Sequence, residues 1–251
     1  MSKRLFKRFL SARDYFFELQ TLKAQMRQTH DVTFGFGKAK PCLKDKCAES
    51  GTACGHYFHQ DLLVASRVHE NAPRRHIDVG SRIDGLVAHV AAFRQIEVID
   101  IRALSTAHKN IKFLQADIMS PLRPDLSNAC DSLSCCHALE HFGLGRYGDP
   151  IRHDGHIVGF SNLVSMLQQS GKMYFSVPIG PQRIEFNAHR VFAIDYLLKL
   201  FHEKHLQLDF FSYVDDDGHL HPHIPLSADL IASNCQCTYG CGIFELTKQA
   251  V

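Results

Sequence analysis

The run from Arg75 to Gly85 limits this chain's possible folds more than any other stretch. A short apolar strand enters Gly80, a polar turn follows, and Gly85 precedes the apolar stretch Leu86 to Phe93. An α/β protein builds a site at the carboxyl end of its first parallel strand in this way. Glycine permits the sharp turn, and the helix behind it offers free N–H groups to a ligand. Taken alone, the turn suits several nucleotide-type cofactors.

Downstream, strand and helix patterns alternate. Strands are expected over 96–101, 111–115, 131–136 and 172–178, with a helix ending near Gly171 and another from Val191 to His205. Two final strands, 206–214 and 242–246, flank a long polar loop. Such alternation predicts a mostly parallel sheet covered on both faces, with the strand carboxyl ends gathered on one edge.

A chain of 251 residues with 45% apolar and 22% charged residues has room for one sizeable core. The net charge of +2 gives no reason to expect nucleic acid as a partner. No apolar run approaches the roughly 20 residues that span a bilayer, and the first residues do not read as a secretory signal. Nine cysteines, two of them adjacent in an expected core strand (Cys135 and Cys136), point to reduced thiols and a cytoplasmic setting.

Residues 1–56 read as an N-terminal helix and loop-rich cap, and 57–251 as the main domain. The helix, Lys3 to Arg27, carries a Phe- and Leu-rich stripe, with Lys3, Arg4, Lys7, Arg8 and Arg13 near its start. The stripe is expected to pack on the domain or on the twin subunit of a homodimer. The basic residues also suit peripheral contact with an anionic membrane. A second helix, Tyr57 to Glu70, is expected to bury Leu62, Leu63, Ala65 and Val68. The loop cysteines Cys42, Cys47 and Cys54 lack zinc-ligand spacing, and His219, His221 and His223 read as a solvated loop, so no metal is expected.

The shared edge carries polar residues at suggestive intervals. Asp78 to Gly85 comes first. Asp100 follows about twenty residues after Gly80, where an acid accepts both hydroxyl protons of a ribose. Asp117 lies past the third strand, in reach of an adenine amino group, and His137 to His141 follow the fourth. A dinucleotide fingerprint needs glycine where Arg82 stands, and a P-loop needs lysine where Leu86 follows Gly85. Adenine and ribose without phosphate fit better, which points to S-adenosylmethionine; a nicotinamide-dependent enzyme on a related doubly wound fold is the rival.

These same residues, 76–81, 98–100, 115–117 and 137–142, resemble the class I S-adenosylmethionine-dependent methyltransferases. More narrowly, 57–190 looks like a domain-of-unknown-function family first described from nematodes and also found in bacteria. That likeness rests on 78–85, 143–150, 175–178 and 186–190, and 239–244 extends it. It implies a Rossmann-like α/β fold: a mostly parallel seven-stranded sheet, helices on both faces and an antiparallel last strand. It places Asp78 and Gly80 at the cofactor's methionine end, Asp100 on ribose and Asp117 on adenine, with Ser81, Arg82 and His137 completing the cofactor set. Arg82 stands where the wider superfamily commonly has glycine; it either charges the methionine-carboxylate end or braces the turn by pairing with Asp84 or Asp100. Bacterial relatives resemble sugar-modifying enzymes of surface-polysaccharide pathways, so the expected acceptor is a hydroxyl of a sugar or nucleotide-sugar. A fold-retaining, catalytically inactive binding protein is the other alternative.

Methyl transfer to a hydroxyl needs in-line approach and a base, and histidine suits that role near neutral pH. His141 is the first candidate and His189 the second; Glu140 either orients the base or hydrogen-bonds substrate. The glycine-rich run 143–150 holds Arg146, Tyr147 and Asp149, and reads either as an acceptor-wrapping loop or as a structural turn. Asn187 and Arg190 are expected at the same edge. Tyr57 and Gln60 either touch the cofactor or are ordinary helix-surface residues.

Overall fold

The computed structural model describes residues 3–30, 32–48 and 50–250, with side chains from Ala12 onward except that of Cys47. The chain divides into two compact units, Met1–Thr52 and Ala53–Val251. In the first, α1 (Lys3–Thr29) is followed by irregular chain with one short helical turn at Asp45–Cys47. Phe16 and Phe17 of its apolar stripe are exposed, and Lys23 stacks its ammonium over the Phe36 ring at 5.3 Å. The side chains of Lys3, Arg4, Lys7 and Arg8, on which the membrane expectation rests, lie outside the described residues. No described helix is long and apolar enough to cross a membrane.

The second unit opens on α2 (His56–Asn71), which follows Gly55 at φ +86° and stops where Ala72 turns left-handed ahead of Pro73. Its buried face differs from the expected one. Gln60, Asp61 and Val64 are buried with Ala65 and Val68, whereas Leu62 is exposed. The helix therefore presents two polar side chains to the sheet. Arg67 grips the buried Glu245 carboxylate with two hydrogen bonds of 2.7 and 3.0 Å, fixing the helix across the last strand.

The strands are β1 (His76–Val79), β2 (Ile96–Asp100), β3 (Ile111–Gln115), β4 (Cys130–Cys136), β5 (Leu167–Ile179), β8 (Leu206–Val214), β9 (Leu220–His221) and β10 (Gly240–Lys248), in the spatial order β3-β2-β1-β4-β5-β10-β8-β9. From β3 to β5 all pairings are parallel, and β10 runs antiparallel between β5 and β8. The antiparallel last strand is as expected. The sheet has eight strands rather than seven because two residues, Leu220 and His221, add an edge strand after β8. A separate hairpin pairs β6 (Arg183–Glu185) with β7 (His189–Val191).

Two apolar clusters cover the faces. On one, Ile77, Val79, Leu133 and Phe175 meet Phe160 and Leu163 of α4 (Gly155–Met166) and Phe201 of α5 (Ile194–Glu203). On the other, Val98, Tyr174 and Ile243 meet Val64 and Val68 of α2, with Leu86, Val87 and Val90. Strand alternation sends Phe244 to the first cluster and Ile243 to the second. Each fully buried side chain of this size stabilises the fold by about 1.5–3 kcal/mol. Between β2 and β3 there is no helix, and 101–110 runs as irregular chain with a single bridge, so that side of the cleft has loop walls.

Candidate active site

The turn after β1 is built by steric necessity. Gly80 sits at φ +73°, and a Cβ there would lie 2.8 Å from Cβ of Ala138. Gly85 has φ −120° and ψ −117° inside the first helical turn, and a Cβ on it would lie 2.3 Å from Oδ2 of Asp61. The expected regular helix after Gly85 is consequently a wide turn, Ile83–Val87, leading into the short α3 (Ala88–Ala91).

Beneath the turn runs a buried polar chain. His76 Nδ1 meets Ser132 Oγ at 2.7 Å and its Nε2 meets Ser134 Oγ at 3.2 Å. Asp78 accepts hydrogen bonds from the Ser134 hydroxyl and from the Ser81 hydroxyl and backbone N–H. Ser81 Oγ in turn accepts from Cys136 N–H at 3.2 Å. Burial drives the Asp78 pKa up to about 6 and that of His76 down to about 3. Asp78 and Ser81 are buried behind the turn and do not line the cleft above, while Ser81 borders an adjoining hollow with Arg82, Asp84 and Asp100.

That cleft, about 290 Å³, opens at the carboxyl ends of β1 to β4. Gly80 and Arg82 line it from the first strand, Asp100 from the second, Asp117 from the third, and His137, Ala138 and His141 from the fourth. Tyr57 and Tyr147 also border it. Arg82 pairs bidentately with Asp84, at 3.0 and 2.7 Å, and lies over the Tyr57 ring; its brace is Asp84 and not Asp100. Asp100 is instead held by Arg102, whose guanidinium bonds both carboxylate oxygens and lies 4.4 Å from the Tyr147 ring centroid. Asp117 accepts from Met119 N–H at 2.8 Å.

On the far side of the cleft stand the histidines. His141 Nδ1 meets Ala188 O at 2.7 Å and Arg146 Nη1 at 3.4 Å, and its Nε2 lies 3.7 Å from Glu140 Oε1. Burial holds the His141 pKa below its ordinary value, against the pull of Glu140. Glu140 is buried; that disfavours its charge, but His137 and then His141 outweigh it and keep its pKa below the usual range. Arg146 shares the Ala188 carbonyl and lies over Tyr147.

Several predicted residues serve the scaffold. Asp149 borders the cleft, yet its oxygens accept from the backbone N–H groups of Gly143, Gly145 and Tyr147, holding its own loop in shape. Arg190 is buried and donates to Phe142 O and more distantly to Glu140 O and His153 O, so it pins that loop instead of offering its charge to a substrate. Gln60 is buried against Ser176 and Asp61. His189 sits in the hairpin, 3.1 Å from Glu185 and against Tyr239, and is not in the cleft wall; Asn187 is exposed on the same hairpin. Sequence reading missed Arg102, and the apolar wall of Ile99, Ile118 and Met119. Its only signal was position, directly behind the strand-end acids.

The topology and the strand-end cleft together are those of the class I methyltransferase fold. Residues 115–216 match the family model described as Caenorhabditis protein of unknown function, DUF268. No curated protein sequence matches the chain. Among solved structures, 1,6-didemethyltoxoflavin-N1-methyltransferase from Burkholderia thailandensis, bound to 1,6-didemethyltoxoflavin and S-adenosylhomocysteine, aligns with a TM-score of 0.54 at 12% identity, over 76% of this chain and 79% of that one. The N-methyltransferase NodS from Bradyrhizobium japonicum WM9, in complex with S-adenosyl-L-homocysteine, aligns with a TM-score of 0.51 at 13% identity, over 85% and 94%. The [4+2]-cyclase SpnF aligns with a TM-score of 0.54 at 16% identity, over 77% and 82%.

Proposed function

We propose that this protein is an S-adenosylmethionine-dependent methyltransferase acting on a small polar acceptor. One observation carries the reading: His141, whose Nδ1 meets Ala188 O, borders the same cleft as the strand-end residues Gly80, Asp100 and Asp117. The residues fit the cofactor. Gly80 lets the turn close against Ala138 at the cleft floor, Asp100 offers a carboxylate to a ribose, and Ile99, Ile118 and Met119 supply apolar walls for an adenine beside Asp117. S-adenosylmethionine supplies an electrophilic methyl group on its sulfonium.

The chain's own residues then have separable tasks. Ala188 O fixes the His141 tautomer, so Nε2 is the atom that takes a proton from the acceptor. Glu140 lies close enough to Nε2 to stabilise the imidazolium once formed. Tyr147, against which both the Arg102 and Arg146 guanidinium groups lie, borders the cleft and offers its ring to the acceptor. A base of this kind suits an alcohol, which supports O-methylation; the likeness to sugar-modifying enzymes of surface-polysaccharide pathways supports a sugar or nucleotide-sugar as the acceptor.

Calorimetry with S-adenosylhomocysteine, followed by a turnover assay on nucleotide-sugars, tests both levels. Saturable binding at one site with methyl transfer to a hydroxyl is expected. Absence of binding to folded protein would remove the whole reading, whereas transfer to an amine would remove only the acceptor class. A second reading is favoured by the likeness to SpnF, a cyclase on the same fold. Tight cofactor binding without transfer to any acceptor would select it.

A further inference from the structure

Beside the cleft the fold brings together three side chains that share no sequence motif. His56 starts α2, His137 follows β4, and Cys241 lies in β10. A ligand atom from each lies within 4.8 Å of the other two, and among the described residues this is the only such His, Cys, Asp and Glu group. Tetrahedral bonding at about 2.0–2.3 Å separates nitrogen and sulfur ligands by roughly 3.3–3.8 Å, so the ligand atoms draw together around an ion by up to about 1 Å, and one stacked imidazole turns to aim its in-plane lone pair at it.

Three further features point the same way. His137 Nδ1 is taken by Glu140 at 2.8 Å, while its Nε2, equally buried, has no hydrogen-bond partner. A carboxylate on one imidazole nitrogen with the other left bare is the outer-shell arrangement that orients a metal-ligating histidine. Next, His137 sits at φ +50°, a costly backbone conformation for a non-glycine residue. Finally, Cys241 is fully buried, and its thiol interacts with the His137 imidazole, with longer contacts of 3.8 Å to Gln60 and 3.9 Å to Gly242 O. The imidazole rings of His56 and His137 are stacked with centroids 5.2 Å apart.

We propose that His56, His137 Nε2 and Cys241 form a binding site for a divalent ion of borderline softness, zinc being the best match to two nitrogens and one thiolate. The ion displaces the thiol proton of Cys241 and the Nε2 proton that His137 carries beside Glu140, both of which leave to solvent, and accepts the imidazole lone pairs. Three protein ligands leave a fourth position open, as in catalytic and not closed structural zinc sites. His137 also belongs to the cleft wall. The other histidine-rich stretch offers no equivalent: His221 is bonded to Asp215 at 2.7 Å and stacked on Tyr213, whereas His223 packs on Phe210. The proposal is independent of the methyl-transfer reading, because it rests on ligand atoms and needs no turnover.

The full-length protein, treated with chelator and dialysed, should be titrated with cobalt(II), followed by zinc competition. One equivalent of cobalt is expected, with visible bands of tetrahedral strength and a near-ultraviolet thiolate-to-cobalt band, both erased by stoichiometric zinc. Cys241→Ser should abolish the thiolate band, and His56→Ala should weaken zinc binding. Glu140→Gln, which removes only the outer-shell charge, should weaken zinc by about 10–100-fold with the thiolate band retained. Circular dichroism identifies variants that fail to fold, and the wild-type spectrum stands without them. A wild-type titration with no thiolate band, or a band that survives Cys241→Ser, overturns the proposal.

Discussion

Cβ of Ala138 occupies the place where a side chain on Gly80 would begin, 2.8 Å from the position of that absent Cβ. The ends of the two central parallel strands thus touch through one glycine hydrogen, and the floor of the cleft has no slack. Gly80→Ala should therefore combine a steric clash with a left-handed φ that alanine resists. The expected cost is about 1–3 kcal/mol of stability together with loss of S-adenosylhomocysteine binding. Adding Ala138→Gly should relieve the clash but leave the φ penalty, so stability should return only in part. Urea denaturation of the two variants, with calorimetry on each, measures both terms.

Asp100→Ala should weaken S-adenosylhomocysteine binding by about 1–3 kcal/mol, the usual cost of removing a partner from a buried hydroxyl. Arg102 then loses both carboxylate contacts, so its hold on Tyr147 should loosen as well. Calorimetry gives the affinity, and an affinity equal to wild type would remove Asp100 from the cofactor site.

His141→Ala should lower kcat by about 10²–10⁴-fold, the range for a positioned acid or base, while cofactor affinity stays close to wild type. Burial lowers the His141 pKa, so the wild-type kcat/KM should begin to fall only below the ordinary imidazole range as the medium is acidified. Rate profiles from pH 5 to pH 8 check the second point; a limb at or above that range would assign the base elsewhere.

The buried polar chain under the turn makes a separate prediction about stability. His76 takes up a proton near pH 3 in the folded protein, owing to burial, and near its ordinary value of 6.5 when unfolded. Its contribution is thus fully present above pH 6.5 and is lost as pH falls from there toward 3. Asp78, raised by burial to about 6, acts in the opposite sense, since the folded protein binds its proton first. His56 and His156, both lowered by burial to about 4, reinforce His76, whereas His137 and Asp61, both raised, act with Asp78. His76→Gln should reduce the loss between pH 7 and pH 5 by about 2 kcal/mol. Urea unfolding at the two pH values measures the difference.

The layout of this molecule follows closely from sequence where a single strand decides it. Asp100 and Asp117 end strands whose apolar pattern is plain, and both reach the cleft. Asp78 sits just as clearly in its strand, yet strand alternation turns it toward Ser81 and Ser134 beneath the turn. Asp149 was assigned from its glycine-rich loop and Arg190 from its place after the fifth expected strand. Both answer the needs of nearby backbone: one meets free N–H groups, the other free carbonyls, in a loop whose folding the sequence does not display. His56 and Cys241 were beyond any local pattern, because only the crossing of α2 over the last strand makes them neighbours.

That last strand has a temporal consequence. β10 lies between β5 and β8, both of which precede it in the chain, so the sheet is finished from its middle and not from an edge. Until β10 enters, β5 presents an open edge, Glu245 cannot anchor Arg67, and Cys241 is absent from its two histidines. The event that seals the sheet also completes the proposed ion site. Occupancy of that site would then report, in a pulse-labelled folding experiment, the moment at which the sheet closes.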